Sequence, residues 1–110
     1  MTPIISVIIP AYNEENSIGR VLNDLPKEKL KEIIVVNNAS TDNTAEVARI
    51  NGATVVEERC RGYGAACLRG ISVVSDSDIV VFVDGDYSDY PEELDQLIKP
   101  ITENRADFVL

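Results

Sequence analysis

Apolar and polar positions alternate in blocks along this chain, and the period within each block changes. Ile4–Ile9 is a short, largely β-branched apolar run ended by Pro10, the pattern of a buried strand. Ile18, Val21, Leu22 and Leu25 then recur at i, i+3, i+4 and i+7, one apolar stripe of a helix. Asn13 is placed to cap that helix, Glu14 and Glu15 suit its positive end, and Pro26 stops it. The same order of element types follows. Ile33–Val36 predicts a second strand, and Asn37–Thr41 a polar turn. Asp42 predicts the cap of a helix carrying Ala45, Val47, Ala48 and Ile50, closed by Asn51-Gly52. Ala53–Val56 reads as a third strand, a Gly-rich turn leads into a helix over Ala65–Val74, and Asp78–Val83 makes a fourth strand. Pro91 suits the first turn of a last helix with Leu94, Leu97, Ile98 and Ile101 as its buried face, and Ala106–Leu110 opens a fifth strand.

Strands that are apolar throughout, alternating with amphipathic helices, predict an α/β fold of three layers: a mainly parallel sheet with helices on both faces. With no repeat, low-complexity tract or Gly/Ser linker, the 110 residues read as one domain, 1–110, large enough for one core. Right-handed crossovers place every strand-to-helix turn along the carboxyl edge of the sheet, where ligands of open α/β sheets bind. Those turns are Pro10–Asn13, Asn37–Asp42, Glu57–Gly64 and Asp84–Tyr90. All four are polar, which points to one ligand site rather than four unrelated loops.

Charge narrows the ligand. The net charge is −9, of which residues 1–75 contribute −1 and residues 76–110 contribute −8. Such a surface repels nucleic acid and anionic lipid, so no nucleic-acid partner is expected. Most of these carboxylates belong to a solvated face, but an acidic cluster also suits a cation. The longest apolar runs fall far short of the roughly 20 residues of a membrane span, and the N-terminus lacks a signal-peptide pattern. The two cysteines, Cys60 and Cys67, read as buried thiols, which fits a reducing, cytoplasmic setting.

Asp84-Gly85-Asp86 is the sharpest chemical feature. It directly follows the apolar strand, so both carboxylates emerge at the rim of the sheet. Neighbouring aspartates raise each other's proton affinity unless a cation or hydrogen-bond donors intervene. Oxygen ligands of this kind suit Mg²⁺ or Mn²⁺ bridging carboxylates to substrate phosphates. The same residues also make an ordinary tight turn, and by themselves support both readings equally; their place after a buried strand favours metal. Arg61-Gly62-Tyr63-Gly64 precedes a helix, so its amides could face a phosphate, with Arg61 adding charge. Gly62 and Gly64 also begin a dinucleotide-binding fingerprint, but its third position is Cys67 and it follows the third strand, not the first. Asn37, Asn38 and Asp42 could read a base edge or ribose, or cap the helix that follows. Tyr12 could stack on a base or simply pack. Glu57, Glu58 and Arg59 read as a solvated, self-paired run.

Four stretches in order, VIIPAYNEENSI (Val7–Ile18), EIIVVNNASTDNT (Glu32–Thr44), RGYGAACLRGI (Arg61–Ile71) and DIVVFVDGDYSDYPEEL (Asp78–Leu94), resemble the inverting glycosyltransferase family 2, which includes polyprenyl-phosphate sugar transferases. The resemblance covers nearly the whole chain. It implies the GT-A, Rossmann-like nucleotide-binding architecture and a nucleotide-diphosphate sugar donor, UDP- or GDP-linked, held with a divalent cation. It places Pro10, Ala11, Tyr12 and Glu14 in the nucleotide pocket and Asn38 at the base. Asp84 falls near ribose and metal, Asp86 on the metal, and Arg61 and Gly64 beside the donor. The implied acceptor is a hydroxyl or a lipid phosphate, such as a glycan or polyprenyl phosphate.

Two departures matter. The family usually has Asp-Asp-Gly-Ser in the second turn, where this chain has Asn37-Asn38-Ala39-Ser40. The resemblance also places the acceptor half, with its catalytic base, beyond Leu110. The chain is therefore expected to be an excised or truncated domain, with no residue of its own in the base role. An exposed sheet edge and homodimerisation or poor solubility are expected consequences, and the longer protein is expected at the inner face of the membrane. Two rival readings are a sugar-phosphate nucleotidyltransferase and a non-catalytic nucleotide-sugar-binding or assembly module. The former normally carries a Gly-rich loop where this chain has Pro10-Ala11-Tyr12-Asn13.

Overall fold

Strand β1, Ile5–Ala11, is buried at every position but one, because layers cover both of its faces. In the computed structural model, which describes residues 3–86 and 108–109, it is the centre of a wholly parallel sheet. The other strands are β2 (Glu32–Asn37), β3 (Thr54–Glu57), β4 (Ile79–Phe82) and β5 (Phe108–Val109), in the order β3-β2-β1-β4-β5. Val7 pairs with Ile33 on one side and with Val81 on the other. Successive side chains then alternate between two cores. Val7, Ile9, Val35 and Val81 join Ile18, Val21 and Leu22 of α1 (Ile18–Asp24) and Ala48 of α2 (Thr44–Ile50). Ile8, Ile34, Val36, Val80 and Phe82 face the other way, with Ala66 of α3 (Tyr63–Val73). This is the expected three-layer α/β architecture.

Helix α3 approaches the sheet through Gly70. A Cβ built there would lie 2.4 Å from Cγ2 of the fully buried Ile8 and 3.3 Å from Cγ2 of Val36. Neither neighbour has free space, so the glycine sets the spacing between α3 and β1.

The element order matches the sequence reading, and the differences are local. Helix α1 starts after Ser17 rather than after Asn13. Asn13 instead adopts a left-handed φ of 51°, and its Oδ1 accepts a bond from the Thr41 N–H at 2.8 Å. A distant partner outcompetes local capping there. Asp42 does serve the start of α2, its Oδ1 accepting from the Thr44 N–H at 2.9 Å. Ile50, expected in the apolar stripe, is instead 78% exposed as the last residue of α2. Cys60 is exposed and Cys67 only partly buried, so the expectation of two buried thiols does not hold. The predicted helix after Pro91 lies outside the described residues, and β5 falls within the predicted fifth strand.

Candidate functional site

The strand order reverses between β1 and β4: from β1 the chain builds outward through β2 to β3, then returns to lay β4 on the other side. Loops leaving β1 and β4 therefore diverge at the carboxyl edge and leave a crevice between them. A cavity of about 230 Å³ lies there. Pro10, Ala11, Tyr12 and Glu14 line it from the β1 loop, Asn38 from the β2 loop, Arg61 from the loop before α3, and Asp84 and Asp86 from the β4 loop. All the site residues expected from the sequence meet in this cavity except Gly64. That glycine is exposed on the first turn of α3 and is not part of the lining.

Reciprocal hydrogen bonds stitch the first two loops together. The Asn13 N–H donates to Ser40 Oγ at 2.9 Å, the Glu14 N–H to Thr44 Oγ1 at 2.8 Å, and the Glu15 N–H to Asp42 Oδ2 at 3.2 Å. In return the Asn43 N–H donates to Glu15 Oε2 at 3.0 Å. The Thr44 hydroxyl also bonds Asp42 Oδ1, and Thr44 is fully buried. The Asp84-Gly85-Asp86 turn is tied to the same assembly, because Ser17 Oγ donates to the Gly85 carbonyl at 2.7 Å. A side chain on Gly85 would press on Ala11 Cβ at 3.3 Å and on the Pro10 carbonyl at 3.4 Å. Close approach to β1 thus favours glycine between the two aspartates.

The residue pattern singles out neither Ser17 nor Ala66, and it marks Tyr63 only through the backbone of the Arg61-Gly62-Tyr63-Gly64 turn. Ser17 looks like a helix cap, and its bond to Gly85 spans 68 residues. Tyr63 and Ala66 join the lining because the first turn of α3 points at the cavity. A helical period through the Gly-rich segment could have indicated them.

The cavity lining combines carboxylates with one guanidinium. Burial pushes the Glu14 carboxyl above its ordinary value, and the charges of Asp86, Asp42 and Asp84 push it further, against a lowering bond from Ser17. Negative charge is therefore concentrated around the β4 turn. Among the described residues no three His, Cys, Asp or Glu side chains are grouped to hold a metal by themselves. The donor set fits a hard divalent cation that takes one or two carboxylates and completes its shell with phosphate and water. In the same lining the Arg61 guanidinium lies over the Tyr12 ring, 3.4 Å from its centroid, a cation–π contact. Asn38, 3% exposed, lies beneath this pair.

The family model described as "Glycosyl transferase family 2" matches residues 6–110. Protein RfbJ of Shigella flexneri is 42% identical over 96% of this chain and 82% of its own length. Glycosyltransferase AglE of Haloferax volcanii is 36% identical over 97% of this chain, which spans only 38% of AglE. Uncharacterized protein MJ1222 of Methanocaldococcus jannaschii is 36% identical, and the chain spans 45% of it. The crystal structure of Mycobacterium tuberculosis glucosyl-3-phosphoglycerate synthase superposes with a TM-score of 0.80 at 33% identity, over 90% of this chain and 41% of that one. The same synthase in complex with Mn²⁺, uridine diphosphate and glucosyl-3-phosphoglycerate matches at a TM-score of 0.69 and 35% identity, over 76% and 33% of the two chains. The parallel sheet, the crevice at its point of reversal and these likenesses agree: the chain belongs to glycosyl transferase family 2.

Proposed function

We propose that this chain is the donor-binding part of a metal-dependent, inverting glycosyltransferase whose donor is a nucleotide-diphosphate sugar. The observation that carries this reading is the convergence of four loops on one crevice, lined by the carboxylates of the β4 turn and by an aromatic ring with a guanidinium over it. Asp86 and Asp84 would hold Mg²⁺ or Mn²⁺, with Asp84 also near ribose. When bound, the cation would offset the charge that builds on the departing diphosphate. Tyr12 offers a flat face for the base, Arg61 neutralises charge beside it, and Pro10, Ala11 and Glu14 wall the pocket. Gly64, outside the lining, contributes at most through the backbone of α3. The mycobacterial synthase complexed with Mn²⁺ and UDP-glucose favours a UDP-linked donor over a GDP-linked one. The acceptor, a hydroxyl or a lipid phosphate, would approach the sugar from the side away from the diphosphate. No described residue is assigned as the base.

Titration calorimetry with UDP-glucose and Mn²⁺ tests this reading. Asp86→Ala should weaken binding by at least about tenfold, the scale on which metal sites respond to loss of their support. No binding of any nucleotide-sugar by the wild type, or unchanged affinity in Asp86→Ala, would sink it.

A further inference from the structure

The side-chain amide of Asn38 has its full set of hydrogen bonds within one neighbouring loop. Its Nδ2 donates to the carbonyl oxygens of Glu58 at 3.0 Å and Cys60 at 2.8 Å. Its Oδ1 accepts from Arg61 Nη1 at 3.1 Å and from the Gly62 N–H at 2.9 Å. An asparagine amide offers two donors and two acceptor lone pairs, so nothing is left over for a ligand. The same contacts fix the segment that carries Arg61, whose guanidinium covers Tyr12.

We infer that Asn38 is a positioning residue: it sets Arg61 over Tyr12 and so acts on nucleotide binding through that pair, without touching the base. The inference rests on the donor-site reading above and replaces the base contact expected of Asn38 from the family resemblance. Chemistry at this position is then demanding in an unusual direction. Aspartate, the residue the family usually carries there, has the same shape and would keep the acceptor facing Arg61 and Gly62. It would also set a second anionic oxygen about 3 Å from two carbonyl oxygens that now receive N–H bonds. The segment around Glu58–Gly62 would have to move away, and Arg61 with it.

Two measurements test this. In NMR titrations of the wild type with UDP and Mg²⁺, Tyr12 and Arg61 resonances should shift while the Asn38 side-chain amide protons keep their slow exchange. A switch of those protons to a new partner on UDP would overturn the inference. In a double-mutant cycle, Asn38→Asp should weaken UDP binding roughly tenfold in the wild-type background and less than about twofold in Arg61→Ala, the mark of coupled positions. Equal losses in both backgrounds would mean that Asn38 acts by itself and would also overturn it. Asn38→Ala, which introduces no repulsion, provides the cycle if the aspartate variant does not fold. A wild type that binds neither UDP nor UDP-glucose would instead strike down the donor-site reading. In that case exchange at the Gly62 amide still decides: it should quicken at least tenfold in Asn38→Ala, and unchanged exchange would refute the positioning role.

Discussion

Position 39 holds an alanine at φ 63°, in the left-handed region where a Cβ crowds the backbone. A left-handed non-glycine residue costs roughly 1–2 kcal/mol, whereas glycine gives back only about 0.4–1 kcal/mol through its freer unfolded chain. Ala39→Gly should therefore stabilise the protein, by about 0.5–1 kcal/mol in urea unfolding; a lower stability would show that the turn is not strained. The sequence shows an alanine where the family's motif has glycine, but the left-handed backbone there is read only from the structure. The roles of its neighbours were less visible. Asn37 and Asn38 are equally polar on paper. Yet Asn37 bonds Glu57, and Asn38 bonds the carbonyls at 58 and 60, partners about 20 residues away. Residue type announced a polar turn, but only the pairing of β2 with β3 chose those partners.

Among the elements, the buried ones were the most legible. β1, β2 and β4 carry mainly apolar residues on both faces, and the sheet buries them between two layers. Ends and edges were harder to read, because their residues compete among local and distant partners, as Asn13 and Ile50 show. A polar clasp at the opposite, amino edge of the sheet was not anticipated either. Ser6, with no exposed surface, lies 2.6 Å from the Ser77 hydroxyl and donates to Glu32 Oε1 at 3.3 Å. The same oxygen accepts from the Ser75 N–H and hydroxyl, each at 2.8 Å. One carboxylate thus joins β1, β2 and the segment between α3 and β4. Burial alone would raise the Glu32 carboxyl; the bonds from Ser75 and Ser6, aided by Lys31, outweigh it and hold the group below its ordinary value. A depressed folded-state value means stability that is present above the unfolded value and lost as pH falls through the folded one. Glu32→Gln should accordingly cost about 1 kcal/mol at neutral pH, the low end for bonds to a charged acceptor that is partly open to water. The gap from wild type should narrow as pH falls below the ordinary glutamate range, where the wild-type carboxylate protonates as well. A gap that stays constant with pH in thermal unfolding would mean that the charge on Glu32 plays no part.

At the scale of the whole molecule, the crevice exists because β4 lies beside β1, and no local pattern in the sequence specifies that neighbour. The charge imbalance, by contrast, is a property of the sequence and has a consequence at the site. On the proposed reading, a net charge of −9 would attract a divalent cation towards the β4 turn and repel a free nucleotide diphosphate from the same cavity. At about 0.01 M salt the screening length is about 30 Å, so charges across a domain of this size act together; at about 0.15 M it is about 8 Å and mainly local charges count. Raising salt between these values should then have opposite effects on the two ligands taken separately. Mn²⁺ alone, followed by electron paramagnetic resonance, should bind several-fold more weakly. UDP without metal, followed by equilibrium dialysis, should bind no more weakly and should gain as the repulsion is screened. If UDP without metal instead weakened in parallel with Mn²⁺, Arg61 would dominate the field that the diphosphate meets. The opposite signs would assign the cation a second task besides ligation: it reverses the local charge, so the donor enters a site that the bare protein resists.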